Sequence, residues 1–312
     1  SAMNWPVVYP ELWLLVAACG VLLADLASKD PQRKLTFWLT QASVALFVAL
    51  QWCDYSAGLA TYGMNHMVVV DPMGRLLAAF AGIAVMVTLG YARPTLGSRD
   101  MLKGEFFMLS LFVLLGVSVM CSANHFLVMY LGLELMSLSL YALTALRRDH
   151  AVATEAAMKY FVLGAMASGF LLYGMSMMYG ATGTLEIPKV FESINTGRIN
   201  KDVLVFGVVF IVAGLGFKLG AAPFHMWVPD VYQGAPTPAT LLIGGAPKFA
   251  AFAITIRLLV EGLLGLAVDW QQMLLVLATA SLVVGNIAAI AQSNLKRMLA
   301  YSTIAQMGFM ML

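Results

Sequence analysis

Apolar runs long enough to cross a lipid bilayer recur along the whole chain and leave few folds open to it. A helix of about 20 apolar residues spans the hydrocarbon core. Only 11% of the 312 residues are charged, whereas a soluble domain has about 25%. Because backbone groups in lipid must pair with each other, the sequence predicts an all-α, polytopic transmembrane helix bundle.

We expect ten helical spans, the last of them cut off by the end of the sequence. A polar loop at residues 54–70 separates the second span from the third. The longest loop, residues 180–202, is expected to hold a short amphipathic helix on the membrane surface. The spans are 11–28, 35–53, 72–92, 105–120, 125–146, 152–179, 203–217, 237–261, 270–291 and 294 onwards.

Lysine and arginine are distributed unevenly between the two sides of this bundle, which predicts its orientation. The connections after spans one, three, five and nine hold ten of these residues, and the other side holds five. The positive-inside rule then puts the N-terminus on the outer side of the membrane. The ten are Lys29, Arg33, Lys34, Arg93, Arg99, Lys103, Arg147, Arg148, Lys296 and Arg297, and the five are Arg75, Lys189, Arg198, Lys201 and Arg257.

A lysine and a helix-breaking sequence follow directly on the seventh span. Pro223 lacks a backbone donor and clashes with the preceding turn, so we expect a discontinuous helix that breaks near Gly220. Lys218 would end the first half-helix, where exposed carbonyls favour a cation. The sequence therefore predicts an ion site here. A proline kink with a lysine that snorkels to the surface is the alternative.

Two more ionisable residues are expected at similar depth in the membrane. Glu134 is the tenth residue of the fifth span, roughly 15 Å down, and Lys248 is about 16 Å into the eighth. Gly244 and Gly245 precede Lys248 and allow close approach of a neighbour or of water. Together with Lys218 these residues predict a row of charges along which protons can move. A purely structural, hydrogen-bonded role for Glu134 is the alternative.

Lys159 and His225 are further relay candidates, each with a structural alternative of equal weight. Lys159 follows Glu155 by four residues and could form an ordinary ion pair with it. His225 could relay protons at physiological pH or be a satisfied structural histidine. Asp25 and Arg75 lie near the ends of spans and are interpreted as boundary residues.

No pattern in the sequence indicates a redox, metal or nucleotide site. The run Gly214–Gly216 follows no strand and therefore does not make a dinucleotide fingerprint. Cys19, Cys53 and Cys121 lie alone in apolar runs, which supports neither a disulfide framework nor an iron–sulfur cluster. We therefore expect the chain to bind no cofactor itself.

Three segments resemble the antiporter-like membrane subunits of bacterial proton-pumping NADH:quinone oxidoreductase, respiratory complex I. They read FKLGAAPFHMWVPDVYQGAPTP, APKFAA and NLKRMLAYSTIAQMGFM. Relatives of this family include subunits of multisubunit sodium/proton antiporters and of membrane-bound hydrogenases. Glu134 matches the glutamate of the family's fifth helix, Lys218 the lysine of its broken seventh helix, and Lys248 the linking lysine of its eighth.

The resemblance implies a translocase subunit that moves protons across the bacterial inner membrane. Electron transfer from NADH to quinone would take place in other subunits, which hold FMN and iron–sulfur clusters. The implied partners are the other membrane subunits and the lipid bilayer, with no nucleic acid. A subunit of a sodium/proton antiporter is the alternative function, and a purely structural membrane scaffold is less favoured because it leaves the midplane charges unexplained.

The resemblance also implies three regions. Helices one to three occupy residues 1–103, and the first of two inverted antiporter-like repeats occupies 104–261. Helix nine and the start of helix ten occupy 262–312, where the chain is expected to be truncated within the second repeat.

Overall fold

Helices dominate the structure and confirm the helix bundle. The computed structural model describes residues 3–28, 33–98, 104–146, 151–219, 228, 231–232, 237–293 and 295–311. Within these residues, eight helical segments are long and apolar enough to cross a membrane. The chain is therefore a multi-pass membrane protein.

Twelve α-helices are numbered here in chain order among the described residues. Short helical turns connect some of them: a 3₁₀ turn at Trp5–Val8, a π-helical segment at Ile256–Gly262 and a 3₁₀ turn at Leu264–Leu266. The α-helices are α1 (Tyr9–Ala27), α2 (Lys34–Ser56), α3 (Pro72–Ser98), α4 (Gly104–Cys121), α5 (Phe126–Thr144), α6 (Ala151–Thr182), α7 (Ile187–Asn195), α8 (Lys201–Leu219), α9 (Thr237–Gly244), α10 (Ala246–Thr255), α11 (Ala267–Ala291) and α12 (Leu295–Met311).

The loop expected between the second and third spans contains a small β-hairpin that the sequence prediction did not include. Strand β1 (Thr61–Gly63) pairs antiparallel with β2 (Val68–Val70). Val7 packs with Val68 and Val70 in a separate apolar cluster. The hairpin thereby covers the end of the bundle at which α1 begins.

The chain divides into two compact units. The first contains Ser1–His150 and Pro236–Ile254, and the second contains Ala151–Ala235 and Thr255–Leu312. In the first unit, α4 packs against α1, α2, α3 and α5. Residues on every side of α4 are buried, as expected for a helix that is apolar all round and lies at the centre of a bundle.

In the second unit, small residues bring α6 and α8 close together. A Cβ at Gly174 would lie 2.7 Å from a side-chain atom of Ile211, and a Cβ at Gly214 would lie 3.0 Å from that of Leu171. These pairs define an antiparallel register. Such close glycine contacts are a common way for membrane helices to associate.

The amphipathic helix expected in the longest loop is α7. Its buried residues are Ile187, Val190 and Ile194, which follow helical spacing along one face. This face packs against the π-helical segment and the following 3₁₀ turn. The apolar face of α7 is therefore buried against the protein.

The eighth span was expected to be one helix, and this expectation is wrong because the span is interrupted at Gly245. Pro247 has no N–H to donate to the carbonyl of Ile243. Hydrogen bonds that reach back three residues instead of four form here: Gly245 N donates to Leu242 O at 3.3 Å, and Lys248 N donates to Gly245 O at 3.0 Å. The span is therefore divided into α9 and α10, with Lys248 next to the interruption.

Candidate functional site

Helix α5 carries Glu134 near its middle, and two local features fix its position. At its start, His125 Nδ1 accepts a hydrogen bond from Leu127 N at 3.1 Å and satisfies a backbone donor of the first turn. Further along, a Cβ at Gly116 of α4 would lie only 2.8 Å from the carbonyl oxygen of Gly132. The two helices therefore touch backbone to backbone two residues before Glu134.

Glu134 is half-buried, and its Oε1 atom is fully buried. That oxygen accepts no hydrogen bond from the described residues. Tyr130 and Tyr141 lie four residues before and seven residues after it, which puts all three side chains on the same helix face. A carboxyl group with an unsatisfied oxygen at this depth is expensive in lipid and is well placed to exchange protons.

Lys248 belongs to the same unit and lies in the first turn of α10, beside the interruption at Gly245. The neighbouring Phe249 contacts Phe80 of α3, with ring centroids 6.2 Å apart. The lysine side chain is half-buried. Pro247 could have predicted from the sequence that the eighth span is interrupted beside Lys248, and our prediction did not use it.

Lys218 lies in the last turn of α8, in the second unit. Its side chain is half-buried, and Nζ lies 5.5 Å from the ring centroid of Phe217, within the range of a cation–π interaction. The expected break near Gly220, together with Pro223 and His225, lies outside the described residues. The position at the carbonyl end of the described helix is favourable for a cation.

Lys159 forms the ion pair that its spacing indicates. Its Nζ lies 3.2 Å from Oε1 of Glu155, and the side chains are 43% and 67% exposed. The register of α6 on α8, continued by one turn, places Ala167 opposite Lys218. Lys159 lies eight residues before Ala167, about 12 Å along the axis. Lys159 and Lys218 are therefore about two helical turns apart along the axes of α6 and α8.

Asp25 lies in the last turn of α1, as expected for a residue at the boundary of a span, but it is buried in a polar cluster. Its side chain is 6% exposed. Thr36 Oγ1 donates to its Oδ1 atom at 2.7 Å, and Arg33 pairs with its other oxygen. These contacts connect the end of α1 to the start of α2. Charged residues near a span end can thus be structural connections between helices.

Two arginines assigned to boundaries or loops are also buried. Arg75 is 2% exposed and donates to the carbonyl of Val7 and to Gln51 of α2. Arg257 is fully buried in the π-helical segment and pairs with Glu261 at 3.2 Å. The sequence signal was an arginine inside an apolar span, which has to find polar partners within the protein.

Metal ligation has no support in the part of the chain that the structure describes. No group of three His, Cys, Asp or Glu side chains there could hold a metal ion.

Comparison with known proteins identifies the family. The family model described as "NADH:quinone oxidoreductase/Mrp antiporter, TM" matches residues 123–312. NADH-quinone oxidoreductase subunit N of Polaromonas naphthalenivorans is 64% identical over 312 residues, which cover 99% of this chain and 62% of the relative. The subunit of the same name from Herminiimonas arsenicoxydans is 60% identical over 314 residues, which cover 99% and 64%. The chain spans less than two thirds of the length of these relatives.

Solved structures agree with this family assignment. A chain of respiratory complex I from Thermus thermophilus superposes with a TM-score of 0.81 at 34% identity, covering 97% of this chain and 63% of that one. A chain of the Mrp complex from Dietzia sp. gives a TM-score of 0.84 at 19% identity, covering 99% and 59%, a likeness that shows a shared fold alone. The chain belongs to the NADH:quinone oxidoreductase/Mrp antiporter transmembrane family.

Proposed function

We propose that the chain is part of subunit N of a proton-translocating NADH:quinone oxidoreductase of the bacterial inner membrane. Its task is to move protons across the membrane while other subunits transfer electrons from NADH to quinone. NADH, FMN, the iron–sulfur clusters and quinone would bind to those subunits. The N-terminus would lie on the periplasmic side, and the neighbouring partners would be other membrane subunits of the same complex.

The observation that carries this proposal is the carboxyl group of Glu134. It lies near the middle of a membrane-length helix, with one buried oxygen that accepts no hydrogen bond from the described residues. The identity to relatives named subunit N supplies the assembly. An ionised carboxylate at mid-membrane costs at least about 2.5 kcal/mol. A residue whose charge is so costly in lipid is better suited to carrying a proton than to making a packing contact.

Lys218 and Lys248 would act with Glu134 as the proton-transfer groups, and Lys159 and His225 are candidates for additional relay steps. Lys218 lies at the carbonyl end of α8, where its ammonium form is favoured. Lys248 lies in the first turn of α10, directly after the end of α9.

Substitution of Lys218 in the assembled complex tests the proposal. Lys218→Ala should abolish most proton pumping in inverted membrane vesicles driven by NADH, with assembly intact. Lys218→Arg should also impair pumping, because arginine does not release its proton. Lys189→Ala is the matched control, since Lys189 is an exposed lysine paired with Glu186 at 2.9 Å. Near-normal pumping by Lys218→Ala at normal assembly would overturn the proposal.

The second candidate function, a subunit of a multisubunit sodium/proton antiporter, is favoured by the same family description, which covers both groups. The two functions differ in what drives proton movement. Pumping by the oxidoreductase requires NADH oxidation and continues without sodium. Proton movement that needs a sodium gradient and no NADH would assign the chain to the antiporter.

A further inference from the structure

A closed polar ring joins four helices of the first unit at the end covered by the β-hairpin. Ser118 Oγ donates to Glu11 Oε1 at 2.7 Å, and Gln51 Nε2 donates to Ser118 Oγ at 3.4 Å. Arg75 Nη1 donates to Gln51 Oε1 at 2.9 Å and lies 4.0 Å from Glu11 Oε1. Arg75 Nη2 donates to the carbonyl oxygen of Val7 at 2.7 Å. We call Glu11, Gln51, Arg75 and Ser118 the buried ring.

The ring and the acidic residues next to it hold more potential negative charge than positive charge. Arg75 is shared between Glu11 and Asp54, whose Oδ2 atom lies 3.4 Å from Nη2. Asp71 lies four residues before Arg75 and accepts a hydrogen bond at the start of α3, and His66 is exposed at the hairpin tip. If these carboxyl groups were all ionised, the Arg75 guanidinium would face the carboxylates of Glu11 and Asp54, with that of Asp71 as a third nearby. The other charged groups of α1 to α4 that the structure describes lie toward the opposite end of the bundle: Asp25, Lys34, Arg93 and Glu105.

Glu11 is the carboxyl group least able to remain ionised in this arrangement. Its side chain is 11% exposed, against 29% for Asp54, and it lies farther from Arg75 than Asp54 does. Its Oε2 atom is buried and accepts no hydrogen bond from the described residues. A buried charged oxygen without partners is costly, whereas a neutral acid in the same place is much less so.

We propose that the Glu11 carboxyl group is a proton-binding site, formed by the buried ring and separate from the proton-transfer groups proposed above. The proton comes from the aqueous phase and converts the carboxylate to the neutral acid. Arg75 then balances the charge of Asp54.

The geometry counts against a static ion pair between Glu11 and Arg75. Strong arginine–carboxylate pairs form two short parallel hydrogen bonds. Here the nearest approach is 4.0 Å, and Arg75 Nε donates to none of the described residues. The guanidinium is instead directed to Gln51, to the carbonyl of Val7 and toward Asp54.

Infrared difference spectroscopy of the assembled complex tests the inference directly. Glu11→Gln keeps the shape of the neutral acid but cannot bind the proton. The carbonyl stretching band of a protonated carboxylic acid, sensitive to exchange into D₂O, should be lost in this variant. Asp54→Asn, the matched control in the same cluster, should retain the band. A band unchanged in Glu11→Gln, or lost only in Asp54→Asn, would overturn the assignment.

A second variant keeps the test independent of side effects at Glu11. Ser118→Ala removes the hydroxyl that donates to Glu11 Oε1, so the band should remain but shift to higher frequency. The melting temperature of Glu11→Gln should match that of the unsubstituted complex, because one neutral group replaces another. An unshifted band in Ser118→Ala would mean that the band does not come from Glu11, and a large drop in melting temperature for Glu11→Gln would indicate an ionised Glu11. Either result would refute the proposal.

Discussion

Two glycines meet where α4 crosses α5, and alanine should have a different effect at each. A Cβ at Gly116 would lie 2.7 Å from the backbone nitrogen of Met136 and 2.8 Å from the carbonyl oxygen of Gly132. A Cβ at Gly132 would meet side-chain atoms of Met120 and Val119 at 3.0 Å and the Gly116 carbonyl oxygen at 3.1 Å. We predict that Gly116→Ala destabilises the bundle more than Gly132→Ala does.

The magnitude follows from how far each contact must open. Ordinary contact begins at 3.4 Å, so Gly116→Ala has to move the α5 backbone by about 0.7 Å. Gly132→Ala meets two side-chain atoms at 3.0 Å and one backbone oxygen at 3.1 Å, so its contacts have to open by only about 0.4 Å. Overpacking of this kind costs about 1–3 kcal/mol. Each variant also gains about 1 kcal/mol from replacing a mid-helix glycine. That gain cancels in the comparison, and because Gly132→Ala also has to relieve contacts at 3.0–3.1 Å, Gly116→Ala should be less stable than Gly132→Ala by roughly 1–2 kcal/mol.

Thermal unfolding of the assembled complex, with the two variants side by side, measures this difference. Proton pumping provides a second measurement, because the displaced helix carries Glu134. Gly116→Ala should therefore lose more pumping than Gly132→Ala at equal assembly. Equal melting temperatures, or a lower one for Gly132→Ala, would show that the helices are not held at backbone contact and would refute the reasoning.

Two further predictions concern the proton-transfer groups. Lys248→Ala should reduce pumping into vesicles more than Lys159→Ala does at matched assembly. Lys159→Ala removes an i,i+4 ion pair worth about 0.3–0.5 kcal/mol, so equal or reversed severity would place the relay on α6. Glu134→Gln keeps the side-chain shape and removes the exchangeable charge, so pumping should fall on the order of tenfold or more with assembly unchanged. Normal pumping in Glu134→Gln, beside a strong loss in Lys218→Ala, would remove Glu134 from the pathway.

Much of the fold could be predicted from the sequence because lipid restricts the choices so strongly. A run of about 20 apolar residues with unpaired backbone groups has to form a helix, whatever surrounds it. The spans therefore agree with the structure to within a few residues at most ends. The middle position of Glu134 in α5 follows from the same count along the helix. The ion pair of Lys159 with Glu155 also follows, because partners four residues apart are set by helix geometry alone.

Other features depended on residues far apart in the chain and were decided by the tertiary structure. The expected loop at residues 54–70 forms a hairpin because Val7 gives Val68 and Val70 an apolar surface to cover. Arg75 is buried rather than interfacial because its hydrogen-bond partners come from residues 24 and 68 positions earlier. An isolated strand pair of this size or an unpaired buried arginine would be unstable. Such features exist only once several helices have packed, and the spacing of residues within one span does not encode them.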